Sequence, residues 1–252
     1  MENLLNKINH VVIKVGSNAI TSKSSVNRSA IRNIALATSD LMSQGKKVSI
    51  VTSGAIAAGR RLTKGWKLES LPEKQMLAAI GQPVLMQEYI NLFSEHNLYV
   101  AQFLLSKTDF EDTSALERLR SCFIVSLDRK IIPVINENDP VATHEIKFSD
   151  NDELQALVVR ELGGDLGINL ITYNGLMKDG DIVSIAEKYG ASEYDNLSKE
   201  VKEGRGGLQG KLNAMHSIVL SGKYGIIGNV SGDIIGMIKG KELHTRFYPI
   251  RI

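Results

Sequence analysis

A cluster of polar residues directly follows the apolar run at residues 131 to 135. Residues 134 to 143 read VINENDPVAT, so two asparagines, a glutamate and an aspartate stand together where a strand would end. Asn and Asp favour loops because their side chains bond to the neighbouring backbone, but a turn does not require four such residues in a row. The cluster therefore suits a ligand that carries a positive or hydrogen-bond-donating group.

Lys14 stands inside the apolar run HVVIKVG at residues 10 to 16. An ammonium group in such a run costs free energy unless it reaches solvent or meets an anion. A lysine on an edge strand is one interpretation. Gly16 and Ser17 favour the other, because a strand followed by glycine lets the backbone approach an anionic ligand closely.

The stretch EGRGGLQGKLNAMHSIVL, residues 203 to 220, reads as a glycine-rich turn that opens a helix. Free N–H groups at a helix start, with Lys211 beside them, favour phosphate binding. The stretch is not a Walker A loop, because that loop needs Ser or Thr where Leu212 stands and Gly where Arg205 stands. It does not match the dinucleotide-binding pattern either, because Gln209 stands where the third Gly belongs. A merely flexible turn is an equal alternative for these glycines.

The stretch SDNDELQALVV at residues 149 to 159 predicts a helix start. Asp150 as N-cap with Glu153 three residues later fits a capping box, and acids in a first turn complement the helix dipole. Capping alone does not require Asn151 or Asp152. Two lysines for phosphates and an acid-amide cluster for an acceptor are the division that phosphoryl transfer needs, since its catalysis is mostly alignment and charge neutralisation.

Six short Val- and Ile-rich runs alternate with stretches of helical spacing, one of which begins near Asn27 and stops at Gly45. The runs are at residues 10 to 16, 46 to 54, 99 to 106, 131 to 136, 166 to 172 and 224 to 230. This alternation predicts an α/β fold, an open and mainly parallel sheet sandwiched between helices. Ligands then bind beyond the carboxyl ends of the strands, where the polar clusters lie.

Other segments are less regular. Residues 71 to 93 look helical but contain Gly81 and Pro83, so we expect a kink or two abutting helices. Residues 187 to 210 are polar and glycine-rich and are expected to be a mobile loop, and ELHTRFYPI near the end reads as a late strand. One domain is expected over residues 1 to 252.

Composition excludes several classes of function. The 252 residues carry a net charge of +2 without a basic stripe, so no nucleic acid partner is expected. No apolar segment is long enough for a membrane span, no signal peptide is recognisable, and the one cysteine, Cys122, favours a reducing compartment, so we expect a cytoplasmic protein. The five histidines are scattered and no zinc spacing is present, so no direct metal site is predicted.

Five ordered segments, VVIKVGSNAI, IVTSGAIAAGR, MLAAIGQPVLMQ, IIPVINENDPVAT and SDNDELQAL, closely resemble the glutamate 5-kinases of the amino acid kinase family. The resemblance runs from about residue 10 to the C-terminus and is dense to about residue 165. It implies transfer of the ATP γ-phosphate, with Mg²⁺ bound to the nucleotide, to the side-chain carboxylate of L-glutamate, the first step of proline biosynthesis. It also implies an acceptor site in residues 1 to 165 and a nucleotide site in residues 166 to 252.

The resemblance assigns roles residue by residue. Lys14 and Lys211 would stabilise the transferring phosphoryl group, and Asp150 would orient both lysines. The glutamate site would be formed by Ser53, Asp139, Asn151 and Asp152, with Asn136 nearby. Asp139 suits the ammonium group of glutamate, while its carboxylates suit donors such as Asn151 and Ser53. The implied nucleotide contacts are Lys14, Gly16, Ile171, Thr172, Arg205, Gly206, Gly207, Leu208, Gln209, Gly210 and Lys211.

The sequence departs from the family pattern in three places. The family's Thr-Asp pair at the nucleotide edge aligns with Ile171 and Thr172, so its carboxylate is missing. The family's Gly-Thr-Gly-Gly-Met stretch is replaced by GRGGLQGK, with Arg205 and Gln209 as the changes. Many relatives continue into a C-terminal PUA domain, whereas this sequence ends at Ile252, which makes an RNA partner less expected.

Two alternatives to a glutamate kinase remain at the level of sequence. A kinase of the same family could use N-acetylglutamate, aspartate or a small phosphate compound, although Asp139 and Asp152 would repel an anionic acceptor without an ammonium group. A non-catalytic amino acid or nucleotide sensor is the other, although it would not need two lysines aimed at a transition state. The resemblance further implies a homo-oligomer, dimer or tetramer, and feedback inhibition by proline. The helix of residues 71 to 93 is the candidate subunit face.

Overall fold

The apolar runs form the strands that the sequence predicts. The computed structural model describes residues 2–22, 25–63, 66, 70–142, 148, 150–195 and 207–250. The strands are β1 (His10–Val15), β2 (Thr21–Ser22), β3 (Ser25–Val26), β4 (Lys47–Val51), β5 (Tyr99–Leu105), β6 (Ile131–Glu137), β7 (Leu166–Ile171), β8 (Met177–Lys178), β9 (Asp181–Ile182), β10 (Tyr224–Asn229) and β11 (His244–Phe247).

Helices separate most of these strands. The α-helices are α1 (Ser17–Ile20), α2 (Arg28–Ser43), α3 (Ala55–Leu62), α4 (Leu71–Ser94), α5 (Thr108–Glu111), α6 (Thr113–Asp128), α7 (Asn151–Glu161), α8 (Gly207–Leu220) and α9 (Ile234–Lys239). Short 3₁₀ turns lie at Leu5–Lys7, Asp139–Val141 and Ala191–Glu193. Helix α2 begins as predicted, because the side chain of its N-cap, Asn27, accepts a hydrogen bond from the backbone of Ala30.

Seven strands of the described chain form one sheet in the order β11-β10-β7-β1-β4-β6-β5. Neighbours from β10 to β5 run parallel, and β11 alone pairs antiparallel with β10. The predicted mainly parallel α/β sheet is therefore confirmed. The strands of the first part of the chain, β1 and β4 to β6, occupy one half of the sheet, while β7, β10 and β11 occupy the other.

Strand β1 lies at the centre of this sheet, between β4 and β7. Its residues alternate between two cores: Val11 and Ile13 pack on the side of α2, α4 and α9, and Val12 packs on the side of α6, α7 and α8. Lys14 lies on the Val12 side and is 3 % exposed. The interpretation of Lys14 as an edge-strand lysine is therefore wrong, because its strand is paired on both sides.

Helix α4 is continuous through Gly81 and Pro83, where the sequence predicted a kink or two helices. Ser70 and Glu73 form a capping box at its start. A Cβ on Gly81 would lie 1.9 Å from the backbone oxygen of Ala55, so the glycine is what lets α3 and α4 cross with backbones in contact. This crossing fixes the start of α3, which borders the polar cleft described below.

The segment predicted as a mobile loop, residues 187 to 210, is only partly described. Residues 191 to 193 form a 3₁₀ turn and α8 begins at Gly207, whereas residues 196 to 206 lie outside the described residues. The late strand is confirmed as β11. Across the described ranges, we find no helix with the length and apolar character that crossing a membrane requires.

His10 is buried at the start of β1 and is held as a neutral imidazole. Its Nδ1 donates to the carbonyl oxygen of Gly163 at 3.2 Å, so its Nε2 accepts from the hydroxyl of Ser49 at 2.9 Å. The ring lies 6.0 Å from that of Phe123. Burial lowers the pKa of His10 from 6.5 to about 4, since the charged form loses its hydration in this apolar setting.

The buried imidazole makes stability depend on pH. The folded pKa of His10 lies below its unfolded value of 6.5, so the unfolded chain binds more protons between about pH 4 and 6.5. This contribution to stability is complete above pH 6.5 and is lost as the pH falls towards 4, by about 3 kcal/mol. When the free energy of unfolding is measured with urea from pH 4 to 7, its rise with pH should be shallower for His10→Gln than for the wild type. Equal slopes would contradict this prediction.

Candidate active site

A polar cleft of about 360 Å³ lies beyond the carboxyl ends of β1, β4, β6 and β7. This is where a parallel sheet is expected to bind its ligands. Eleven of the predicted site residues line it: Lys14, Gly16, Ser53, Asn136, Asp139, Asp150, Asn151, Asp152, Ile171, Thr172 and Lys211. Segments that are far apart in the sequence thus meet in one place.

Asp152 lies between the two predicted lysines. Lys14 Nζ donates to Asp152 Oδ1 at 2.5 Å, and Lys211 Nζ donates to Asp152 Oδ2 at 2.9 Å. The side chain of Asn169 in β7 also donates to Asp152 Oδ1. Asp152 is 1 % exposed, so one buried carboxylate holds two ammonium groups at the floor of the cleft.

The charges in this triad support one another. Burial alone would raise the pKa of Asp152, but the charges of Lys14 and Lys211 and their hydrogen bonds hold it well below the usual range. Burial lowers the pKa of Lys14, and the nearby Asp152 opposes that effect. Two cations against one anion leave the triad itself with one excess positive charge, which attracts an anionic group.

Asp150 has a different place from the one predicted for it. One of its oxygens, Oδ1, caps α7 by accepting from the backbone N–H groups of Asp152 at 2.9 Å and Glu153 at 3.1 Å. Burial and the charge of Asp152 raise the pKa of Asp150. The carboxylate that contacts both lysines is Asp152, so the prediction that Asp150 orients them is corrected. The N-cap side chain turns back onto its own helix, and the residue two positions later faces the sheet.

The acceptor side of the cleft is built on three linked amides. Asn151 Nδ2 donates to the backbone oxygen of Thr52 at 2.6 Å, to Ser53 Oγ at 2.8 Å and to Asn136 Oδ1 at 2.9 Å. Asn136 Nδ2 in turn donates to Gln82 Oε1 at 2.9 Å. The amide nitrogen of Asn151, predicted as a donor to a substrate carboxylate, is therefore already committed to the protein. Ser53 accepts from Asn151, and its own O–H is oriented by that bond.

Asp139 completes this side of the cleft. It begins the 3₁₀ turn that follows β6 and is 8 % exposed. Asp139 and Asn151 line the same cleft as the lysine pair. The polar cluster lies at the mouth of the sheet beside the start of α7, but Asn136 and Glu137 are the last residues of β6 rather than residues that follow it.

Gly210 and Lys211 lie in the first turns of α8, beside the start of α7. The first four backbone N–H groups of a helix have no partner within the helix and favour an anion. A Cβ on Gly210 would lie 2.5 Å from Asp150 Oδ2, so glycine permits the close approach of the two helix starts. The start of α8 and the lysine pair thus lie close together, an arrangement that fits nucleotide phosphates.

Other residues of the predicted phosphate loop point elsewhere. Gln209 Nε2 donates to the backbone oxygen of Tyr189 at 2.9 Å, and Gln209 Oε1 accepts from the backbone N–H of Ala191 at 2.8 Å. The side chain of Leu208 packs against the apolar core. Neither side chain lines the cleft, whereas Arg205 and Gly206 lie outside the described residues.

The nucleotide edge is formed by Ile171 and Thr172 at the end of β7. Ile171 is buried and Thr172 is exposed. Beside them, Asn229 Nδ2 donates to Asn174 Oδ1 at 3.0 Å. Within the described ranges, no group of three or more His, Cys, Asp or Glu side chains is arranged to hold a metal ion by itself.

Comparison with known sequences identifies the family of this chain. A sequence model of the Amino acid kinase family matches residues 9–229. The chain belongs to the amino acid kinase family.

Curated relatives of this amino acid kinase are named glutamate 5-kinase. The chain is 34% identical over 261 residues to the one from Syntrophus aciditrophicus and 34% identical over 269 residues to the one from Methanosarcina barkeri. These alignments cover 99% and 98% of this chain and 68% and 70% of the relatives. The glutamate 5-kinase of Clostridium acetobutylicum is 38% identical over 213 residues, which cover 84% of this chain and 79% of the relative.

Solved structures share the fold of this amino acid kinase. The carbamate kinase from Giardia lamblia bound to AMP-PNP has a TM-score of 0.64 at 17% identity and covers 96% of this chain and 99% of its own. The isopentenyl phosphate kinase of T. acidophilum, in a product complex, has a TM-score of 0.65 at 14% identity and covers 95% and 100%. At these identities the likeness establishes the fold alone.

The structure adds residues that the sequence did not single out. Asn169 bonds Asp152 from β7, and Gln82 bonds Asn136 from inside α4. Gln82 lies within MLAAIGQPVLMQ, one of the segments that carry the family resemblance, but nothing in its spacing indicated a polar role. Glu137, in the same polar cluster, accepts from the backbone of Phe148 at 3.0 Å and lines the cleft.

Proposed function

We propose that this amino acid kinase transfers the γ-phosphate of ATP to the side-chain carboxylate of L-glutamate, giving L-glutamyl 5-phosphate, the first step of proline biosynthesis. The observation that carries the proposal is the placement of Lys14, Asp152 and Lys211 between an acceptor side rich in amides and acids and the start of α8. Curated relatives that align with nearly the whole chain bear the name of this activity.

The lysine pair supplies what phosphoryl transfer demands. A glutamate carboxylate oxygen forms the new bond to the γ-phosphorus while the bond to the bridging oxygen breaks, and ADP leaves with those electrons. Negative charge on the equatorial oxygens is neutralised by Lys14 and Lys211, which Asp152 holds at a fixed separation. The attacking carboxylate is already ionised at neutral pH, so no general base is needed. Asp152, whose pKa is low, is therefore a positioning residue rather than a base.

ATP fits the cleft through charge and backbone donors. The start of α8 and the positive charge of the lysine pair are suited to its phosphates. Mg²⁺ is expected to enter with the nucleotide, because phosphate oxygens are its usual ligands, and it would neutralise charge on the transferring group. Ile171 and Thr172 would border the nucleoside without the family's carboxylate.

Further parts of the proposal concern the organisation of the protein. Residues 1 to 165 would form the acceptor part and residues 166 to 252 the nucleotide part of one domain, which agrees with their separate halves of the sheet. The protein would be a cytoplasmic homo-oligomer, dimer or tetramer, inhibited by proline, with exposed apolar residues of α4 such as Ile90 at a subunit face. If the protein sediments as a monomer at working concentration, the proposed oligomer is wrong.

Acceptor-dependent release of ADP tests the proposed reaction. Purified protein with Mg-ATP should release ADP with L-glutamate, and much less with N-acetyl-L-glutamate or L-aspartate. Lys211→Ala should lower kcat on the order of 10²-fold or more, since it removes one of two cations at the transferring phosphate. Lys47→Ala removes a lysine that pairs with Asp128 on the surface at 2.7 Å and should leave kcat unchanged.

Two outcomes would overturn the proposal. Faster turnover with an acceptor other than L-glutamate would mean that the protein has the activity of a different member of the family. Binding of ATP without release of ADP in the presence of any acceptor would favour a sensor.

A further inference from the structure

Gln82 lies inside α4 and bonds to the acceptor side of the cleft through Asn136. Its Oε1 accepts from Asn136 Nδ2 at 2.9 Å, and Asn136 Oδ1 accepts from Asn151 Nδ2 at 2.9 Å. The three amides, Gln82, Asn136 and Asn151, form a relay from the interior of the helix to the cleft wall. Of the three, Asn136 and Asn151 line the cleft and Gln82 does not.

Backbone groups identify which atom of Asn136 and of Asn151 accepts and which donates in this relay. The N–H of Glu137 can only donate, and it bonds Asn136 Oδ1 at 2.9 Å. The carbonyl of Thr52 can only accept, and it bonds Asn151 Nδ2 at 2.6 Å. Neither Asn136 nor Asn151 can therefore turn its amide over without placing like groups against each other.

The consequence is that the amide nitrogen of Asn151 is occupied within the protein, so its carbonyl oxygen is the atom left for a ligand. The nitrogen is committed to Thr52, Ser53 and Asn136. The oxygen Oδ1 is the polar atom of that side chain that none of these bonds uses. In a cleft that also contains Asp139, a second oxygen acceptor favours a ligand group that donates hydrogen bonds and carries positive charge.

Packing does not explain a glutamine at position 82. Gln82 is 7 % exposed, and its Nε2 is buried with no hydrogen-bond partner among the described residues. A buried amide with an unpaired donor destabilises the fold, so an apolar side chain of similar size would suit the helix interface better. The polar atom of Gln82 that is used is Oε1, and its partner is Asn136.

We propose that Gln82 is a positioning residue for acceptor recognition: it pairs the buried nitrogen of Asn136, keeps Asn136 and with it Asn151 in place at the cleft wall, and so supports selection of an acceptor with a free ammonium group over one whose amine is acylated. This inference rests on the proposed function and adds to acceptor recognition a residue that does not line the cleft. Without the acceptor atom of Gln82, the nitrogen of Asn136 is buried unpaired, and the relay shifts to relieve it.

Two variants and a matched control test the proposal. Gln82→Met keeps the size and helix preference of the side chain but removes Oε1, whereas Gln82→Glu keeps an oxygen for Asn136. The control, Gln87→Met, changes an exposed glutamine of the same helix that bonds only Asn91 among the described residues, at 2.8 Å. The initial rates are measured for each protein with L-glutamate and with N-acetyl-L-glutamate.

Gln82→Met should raise the KM for L-glutamate about tenfold, the effect of a misdirected hydrogen bond to a charged group, while kcat and the KM for ATP stay at wild-type values. The ratio of kcat/KM for L-glutamate to that for N-acetyl-L-glutamate should fall by the same factor. Gln82→Glu and the control Gln87→Met should both have the wild-type KM for L-glutamate.

A merely structural glutamine would give a different pattern. If Gln82→Met lowers the melting temperature but leaves the KM for L-glutamate and the acceptor ratio unchanged, the positioning role is overturned while the proposed function stands. The same holds if Gln82→Glu is impaired as much as Gln82→Met. If the wild type turns over neither acceptor, the proposed function fails and this inference fails with it.

Discussion

Replacing Asp152 with Asn should lower kcat on the order of 10²–10³-fold. The carboxylate accepts from Lys14 with one oxygen and from Lys211 with the other, and an amide offers an oxygen to only one of them. Its NH₂ group would face the second ammonium and push it away. Lys14, which is fully buried, would also lose the negative charge that opposes the lowering of its pKa by burial. Initial rates of ADP release with saturating L-glutamate measure the effect.

Asp150→Asn is the matched comparison for this prediction. Asn caps a helix as well as Asp does, so the bonds to the backbone of Asp152 and Glu153 are kept. Its kcat should stay well above that of Asp152→Asn. If Asp150→Asn has the lower kcat of the two variants, Asp152 does not organise the lysines during turnover. Melting curves of both variants exclude loss of folding as the cause.

Gly81→Ala should destabilise the protein by about 3 kcal/mol or more. The added Cβ would lie 1.9 Å from the backbone oxygen of Ala55 and 2.3 Å from the backbone nitrogen of Gly59. Backbone atoms cannot move aside as a flexible side chain does, so α3 and α4 would have to separate. The midpoint of urea unfolding at pH 7.5 measures the change.

Gly45→Ala separates this clash from the general cost of replacing a glycine. Gly45 has a φ of +75° but no heavy atom lies within 4 Å of the added Cβ, so only backbone strain remains, about 1 kcal/mol. A Gly81→Ala protein as stable as Gly45→Ala would mean that α3 and α4 do not cross with backbones in contact.

The sequence predicts the parallel sheet well because its signal is local. Runs such as HVVIKVG are apolar on both faces, which a strand needs when helices cover both sides of its sheet. The antiparallel pairing of β11 with β10 was not predictable, since a short strand carries no sign of its direction. Helix α4 continues through Pro83 because its packing against α3 and the sheet outweighs the local preference for a break.

The sequence predicts which residues form the site better than it predicts what each of them does there. The stretch DND places two carboxylates two positions apart, and only the fold decides that Asp150 caps α7 while Asp152 faces Lys14. The direction of the Asn151 amide depends on the backbone of Thr52, nearly a hundred residues earlier in the chain. Gln82 could not be found at all, because a glutamine inside a helix carries no local sign of its partner.

Trapping of the product with hydroxylamine tests the central claim most directly. An acyl phosphate reacts with hydroxylamine to give a hydroxamate, which identifies a carboxylate as the group that received the phosphate. With Mg-ATP and L-glutamate, the wild type should form glutamyl hydroxamate in an amount equal to the ADP released, and Asp152→Asn should form very little. Glutamate-dependent release of ADP without any hydroxamate would contradict the account, because the phosphate would then have gone to another acceptor.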